Sequence, residues 1–441
     1  MKTIRLIVSI VLIGCVAIGW LTFTSSSVKD VVERASYAKE GASYYDEGLY
    51  QKSIEAYKQA QEMKYSVKTE EALLKSLEAA YRDETGSASD YTDEYLKLCR
   101  SNPSNSEYWK ELLSFCLAEE DYNTGILVCK AIKKLKVNDP SLFELTDKFN
   151  YFYSEKNKIY NTMIGGSTGY YTAYDGNRWC VVTPDNGKLY EEVGPYLGGI
   201  SANNDYIVVY EKDARLIDKK GVVQAILKNH TDNMRAYGDG MIPMQQKDGT
   251  WSYYDIKEKK YTLTGYENAS SFQNKTAFVK EKEGWKLIGL DGNTKKETVF
   301  SDVRLYDNGE YMKDGVFVAA VDGMYNLYKA DGTKETSIDA KAMDRYFGSA
   351  IAYCDSNDKW GFMNEQGKTI IEPQYKEASS FSHGVAGVSN GEKWAFINED
   401  GRIVSEYKFL YIGYNSSENY CPVGDMNNEY YTVYFNFLNN H

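Results

Sequence analysis

Trp179, Trp251, Trp285, Tyr325, Trp360 and Trp394 divide the last two-thirds of a 441-residue chain at intervals of 72, 34, 40, 35 and 34 residues. The first interval is two units of about 36. A period of this length means that one small supersecondary unit is stacked on copies of itself, because a single copy cannot bury its apolar face. Such a region presents surfaces. The spacing alone does not name what binds to them.

The clearest copy runs from Lys359 to Glu392. Trp360-Gly361-Phe362-Met363-Asn364 is a short aromatic run bounded by polar residues and reads as a strand. Glu365-Gln366-Gly367 is a tight turn. Lys368 to Glu372 reads as a second strand, ended by Pro373, which cannot donate to a ladder. Tyr375, Ala378 and Phe381 read as inward anchors, and Gly384 to Ser389 as a third strand. Asn390-Gly391 is a hairpin signal leading to Trp394 and the next copy. Turn glycines recur at Gly187, Gly221, Gly292, Gly332 and Gly401, and Arg215-Leu216-Ile217-Asp218 fills one slot without an aromatic. Each unit is therefore expected to hold about three antiparallel strands. All-antiparallel units of roughly 40 residues favour a β-propeller.

The residues Trp360, Gly361, Phe362, Asn364, Gly367, Lys368, Ile371, Pro373, Tyr375, Ala378, Phe381, Ser382, Gly384 and Ala386 resemble the bacterial WG repeat. The full pattern covers one unit; Trp394 is followed by Ala395 instead of glycine, and the earlier units keep the aromatic, the turn and the length. The resemblance implies a propeller-like fold and a binding role. About seven blades are expected from 165–441, with Tyr430 to Phe437 pairing Tyr170 to Tyr174 to close the ring. An eighth blade and an open array are the alternatives.

At the front, Leu6 to Phe23 is an uncharged apolar run behind Lys2 and Arg5. As a helix it reaches roughly 27 Å, close to a bilayer core of ~30 Å. Residues 1–27 are read as a cytoplasmic stub and a single-pass signal anchor, with the bulk of the chain outside. Leu12-Ile13-Gly14-Cys15 also matches a lipobox, which makes a lipoprotein acylated at Cys15 the alternative. Residues 28–157 change texture, with helical apolar periodicity. Helices are expected at Thr69–Tyr81, Asp90–Cys99, Ser106–Leu117, Tyr122–Leu135 and Ser141–Ser154. Tyr37, Gly41, Tyr44, Gly48, Tyr57 and Ala60 resemble one tetratricopeptide repeat, in which Gly41 and Ala60 let two helices approach while Tyr44 and Tyr57 fill the gap. That resemblance implies binding positions at Ala42, Tyr45 and Asp46.

The net charge is −12, and no segment beyond the anchor is basic. Nucleic acid, which needs a positive stripe, is excluded. The seven cysteines form no CxxC pair, and buried free thiols are expected. With only three histidines and no nucleophile, phosphate-loop or zinc motif, no catalytic residue, metal or cofactor is assigned. His383 reads as a surface turn residue. Asp248, Asp291, Asp331 and Asp400 precede glycines and read as caps of their own turns.

The expected architecture is multidomain α plus all-β: a transmembrane helix, tetratricopeptide-like hairpins, then a WG-repeat propeller. The expected function is non-enzymatic binding at the bacterial cell envelope, as a membrane-anchored scaffold for other envelope proteins or cell-wall polymer. A cell-wall carbohydrate-binding protein or glycan-acting enzyme, and a sensory domain acting with a membrane partner, are the alternatives.

Overall fold

The computed structural model describes residues 29–436, apart from 157–158, 166–168, 186, 194–195, 202–205, 211–212, 228–229, 232, 336–339, 426 and 428. The Leu6–Phe23 run and Cys15 lie outside the described residues. Among those described, no helix is long and apolar enough to cross a membrane. The chain divides into two compact units, Met1–Asn150 and Tyr151–His441.

The first unit is helical: α1 (29–46), α2 (Tyr50–Met63), α3 (Val67–Arg82), α4 (Ala88–Ser101), α5 (Ser106–Ala118), α6 (Tyr122–Lys134) and α7 (Phe143–Asn150). Short polar side chains start several of them. The Ser87, Asn105 and Asp121 side chains accept from the backbone N–H groups of Asp90, Glu107 and Thr124, which satisfies donors a helix start leaves open. From α2 onward, each helix packs on its neighbour in sequence. A Cβ added at Gly41 would sit 3.0 Å from the Tyr57 ring, and Ala60 is fully buried, so the small residues do set the approach of α1 and α2. The Ser53 hydroxyl ties them by donating to the Gly41 carbonyl at 2.7 Å. The expected helix over Ser141–Ser154 stops at Asn150; Tyr153–Glu155 is a strand of the second unit instead.

One buried acid conflicts with the apolar interior. Glu70, 3% exposed, accepts from the Gln61 side chain and faces Glu94, which pairs with Lys97 at 2.9 Å. Burial first, and the Glu94 carboxylate second, push its pKa up to about 7. Between the unfolded value of about 4.5 and about 7, the folded state holds a proton that the unfolded state has released. Helical-unit stability should therefore fall as pH rises through this window. Glu70→Gln is expected to raise stability at pH 8 by on the order of 2 kcal/mol and to change little at pH 4. Thermal melts followed at 222 nm at both pH values check this; an equal effect at both would remove the titration from the explanation.

Among the described residues, the second unit holds eight small antiparallel sheets in chain order. The first spans Thr162–Val193, the second Tyr196–Leu227, the third Met241–Tyr266 and the fourth Asn268–Gly289. The fifth spans Asp302–Lys329, the sixth Ala342–Tyr375, the seventh Glu377–Asn398 and the eighth Tyr411–Phe435. The repeat marks fall in register. Trp179, Trp251, Trp285, Tyr325, Trp360 and Trp394 all stand at or next to the start of equivalent strands, and Asp213–Ile217 fills that place in the second sheet.

Two expectations change. The sequence unit is not the sheet: Trp360–Met363 and Thr369–Tyr375 end the sixth sheet, while Glu377–Ala378 and Val385–Ser389 begin the seventh. The anchors of the repeat therefore bridge two sheets. Phe362, Tyr375, Ala378, Phe381 and Val388 share one buried cluster with half-buried Trp360. The ring also counts eight sheets, not seven. Tyr430–Phe435 pairs with Tyr153–Glu155, with Tyr153 opposite Phe435 and Glu155 opposite Val433, and not with Tyr170 to Tyr174. The first strand of the unit thus completes the last sheet and joins the ends of the array. The Tyr171 hydroxyl of the first sheet donates to the Tyr414 carbonyl of the eighth at 2.5 Å.

Candidate functional site

Among the described residues, the turns between the first main strands of several sheets converge. In the third, fourth, fifth and seventh sheets the turning residues are Asp239-Gly240, Asn274-Lys275, Asp314-Gly315 and His383-Gly384, all at positive φ. That is the geometry of the tight two-residue hairpin turn, and it explains why glycine follows Asp239, Asp314 and His383. Residues from all eight sheets, from Gly169 in the first to Ser417 in the eighth, line one cavity of about 580 Å³. This size lies within the range, roughly 300–1,000 Å³, of cavities that bury small ligands.

A floor crosses the ring. Asn308, in the long loop of the fifth sheet, is buried. Its side chain donates to the Ile200 carbonyl of the second sheet at 2.6 Å, and its own carbonyl accepts from Ala236 of the third at 2.8 Å. Next to it, Arg345 of the sixth sheet pairs with Asp307 at 2.7 Å and lies over the Tyr414 ring. Tyr414 in turn stacks on Phe347, with ring centroids 3.5 Å apart. Contacts between sheets far apart in sequence fix the loops around one axis.

The wall is polar. Asp239, Asn274, Asp314, His383 and Ser417 are exposed at its rim, and Glu310 is buried within it. Lys313 is half-buried, with its ammonium 5.9 Å from the Phe347 ring centre; burial lowers its pKa. His383 sits in a turn, as expected, but that turn faces the cavity. Its Nδ1 lies 3.0 Å from the Asn415 carbonyl, which also accepts from the Ser382 hydroxyl at 2.7 Å. A carbonyl only accepts, so Nδ1 carries the hydrogen. Partial desolvation of the ring, with Lys313 nearby, holds its pKa below the usual value and favours neutral imidazole. Nε2 is then a lone-pair acceptor.

The sequence-assigned residues fall elsewhere. Ala42, Tyr45 and Asp46 are exposed on α1, with the Tyr45 ring 5.7 Å from Tyr50, and none lines the cavity. The turn acids behave as expected at three positions: Asp248, Asp291 and Asp331 accept from the N–H two residues on. At the fourth, Asn398 makes the cap and Asp400 pairs with Arg402 at 2.8 Å. The six described cysteines are all buried, and none is in a disulfide. The rim residues were missed, although a signal existed. Asp239, Asn274, Asp314 and His383 each follow an apolar anchor by two residues, namely Tyr237, Phe272, Met312 and Phe381.

Comparison with known proteins bears on the same region. Solved structures of similar shape include BamB from Moraxella catarrhalis, at 10% identity and TM-score 0.40, covering 64% of this chain and 98% of that one. The C-terminal WD40 domain of Sif2 gives 11% identity and TM-score 0.39, covering 65% and 99%. Kluyveromyces lactis Hsv2 gives 10% and 0.32, covering 46% and 74%. No curated protein matches in sequence. The model of the WG containing repeat matches twice, at residues 360–394 and 394–430, each match beginning on one of the tryptophan marks. Residues 360–430 therefore belong to the WG-containing repeat family.

Proposed function

We propose that the chain is a membrane-anchored, extracytoplasmic binding scaffold of the bacterial cell envelope that holds other envelope proteins. The observation that carries the binding role is that described residues of all eight sheets line one polar cavity within a ring of sheets. A second surface supports it: the packed helical pairs leave Ala42, Tyr45 and Asp46 exposed on α1, where tetratricopeptide-type hairpins would contact a partner. The apolar run Leu6 to Phe23 supports the anchor, and the basic residues before it support the outward orientation. The mechanism is shape and hydrogen bonding, without bond-making.

One experiment tests location and binding together. Ala42→Cys in the full chain is treated in intact cells with a membrane-impermeant, thiol-directed photo-crosslinker. Background is low, because the described cysteines are buried and burial pushes the Cys99, Cys116 and Cys129 thiols up to about 12. The expected result is labelling of intact cells and discrete protein adducts after illumination. Labelling only after lysis would overturn the location. Labelling without adducts would overturn α1 as a protein-binding face.

A further inference from the structure

α6 and its end carry a stretch without a carboxylate. From Tyr122 to Asn138 the chain holds Lys130, Lys133, Lys134 and Lys136 and no Asp or Glu, although its net charge is −12. Gly125, Ile126, Val128, Cys129, Ala131 and Ile132 turn inward and are buried. The opposite face, Asn123, Leu127, Lys130 and Lys134, recurs at the three- and four-residue spacing of one helix side and is exposed throughout. Lys133, Leu135 and Lys136 extend it at the helix end, exposed as well. Leu127 is 55% exposed, more than any other leucine among the described residues, and Leu135 is 41% exposed. The nearby acids are committed elsewhere. Asp121 accepts from the Thr124 N–H at 3.1 Å and Asp139 from the Ser141 N–H at 2.9 Å, and on α7 Glu144 pairs with Lys148 at 3.3 Å. Cations in a last turn offset the helix dipole, which accounts for Lys133 and Lys134. It does not account for two exposed leucines set among the lysines.

Such a face suits a layer that is anionic at its boundary and apolar beneath. Lysine stems let the ammonium groups reach phosphates while an apolar neighbour sinks between the headgroups. The layout of the chain puts such a layer within reach. The apolar run ends at Phe23 and α1 begins at Lys29, so the link spans roughly 20 Å even when fully extended. A helical unit of this size has a radius of gyration of about 14 Å, so the tether holds it against whatever surface the anchor enters. We propose that the exposed face of α6 lies on an anionic phospholipid bilayer, with Lys130, Lys133, Lys134 and Lys136 at lipid phosphates and Leu127 and Leu135 in the headgroup layer. The inference rests on Leu6 to Phe23 being the anchor.

The full chain with Leu127→Cys in a Cys15→Ser background, labelled with bimane, tests this in nanodiscs of phosphatidylcholine with or without phosphatidylglycerol, all carrying a lipid nitroxide near the headgroup. Ser114→Cys, exposed on α5, is the control site. The expected result is at least threefold more quenching of the Leu127→Cys label in anionic discs than in neutral ones, with the Ser114→Cys label unchanged. The gain should vanish at about 1 M salt, where the screening length is about 3 Å, and in the variant Lys130→Gln/Lys133→Gln/Lys134→Gln/Lys136→Gln. The salt arm needs no further substitution, so it decides the matter even if that variant folds poorly. Equal quenching in both kinds of disc, an equal gain at both labels, or a gain that survives salt would overturn the inference. So would lysine-dependent binding of soluble polyglycerol phosphate with the label unquenched by anionic discs, which assigns the face to a wall polymer. Co-elution with neutral discs reports the anchor separately: a chain that elutes free of them lacks the anchor, while quenching in anionic discs alone then still supports the face.

Discussion

Tyr153→Ala combined with Ser154→Pro should lower the stability of the β unit by about 4–6 kcal/mol, because it reopens the ring. The strand Tyr153–Glu155 is short, yet it covers the outer edge of the eighth sheet. Backbone bonds flank it on both sides: Lys156 N–H donates to the Thr432 carbonyl and Asn436 N–H to the Phe152 carbonyl. Proline at 154 removes a ladder donor and its ring disturbs the pairing. Tyr153 packs against Phe396, Phe409 and Phe435, with ring centroids 5.6–6.4 Å apart, so truncation leaves a cavity between the seventh and eighth sheets. For a unit of this size the midpoint should fall by roughly 8–15 °C. Scanning calorimetry of the full chain measures it. A shift within a degree or two would mean that the strand is an ornament on a self-sufficient array.

Gly361→Ala should cost about 3 kcal/mol, whereas Ala395→Gly, at the matching position one repeat later, should cost about 1 kcal/mol. In the sixth sheet the outer strand bulges. Trp360 pairs with Tyr375 and Phe362 with Ile371, so Glu372, Pro373 and Gln374 stand opposite one residue. A Cβ at Gly361 would meet the Ile371 carbonyl oxygen at 2.6 Å and Pro373 N at 2.7 Å. These are backbone atoms and cannot swing away, so the strand must shift. In the seventh sheet the outer edge is reduced to the isolated bridges Trp394–Phe409 and Ile397–Ile403, and buried Ala395 has room. Urea titrations of both variants give the comparison. Equal costs would separate the glycine of the motif from the bulge.

The parts of this fold that were legible are those set by local chemistry. Trp and Tyr at strand starts, and glycine at tight turns, mark every sheet from the third to the seventh, and the helix limits of α4 to α6 follow from capping side chains and apolar spacing. What was not legible depends on contacts between distant residues. Tyr153-Ser154-Glu155 has no periodicity and follows a helix, so nothing local says that it pairs with a strand 280 residues later. Pairing Tyr430 to Phe437 with Tyr170 to Tyr174 gives seven sheets; the strand instead forms an eighth with Tyr411–Ile412 and Tyr420–Gly424. The phase of the repeat was hidden for the same reason: Tyr375 and Phe381 are adjacent in the motif but stand on either side of a gap between sheets. His383 read as a surface turn because only ring closure turns that surface inward.

Ring closure is thus the claim on which the cavity depends, and hydrogen exchange of the full chain tests it most directly. The account predicts that amides of Tyr430–Phe435 exchange as slowly as those of Ile351–Cys354 in the sixth sheet, since both lie between paired neighbours. Exchange of 430–435 orders of magnitude faster than 351–354 would mean an open array, with no central cavity.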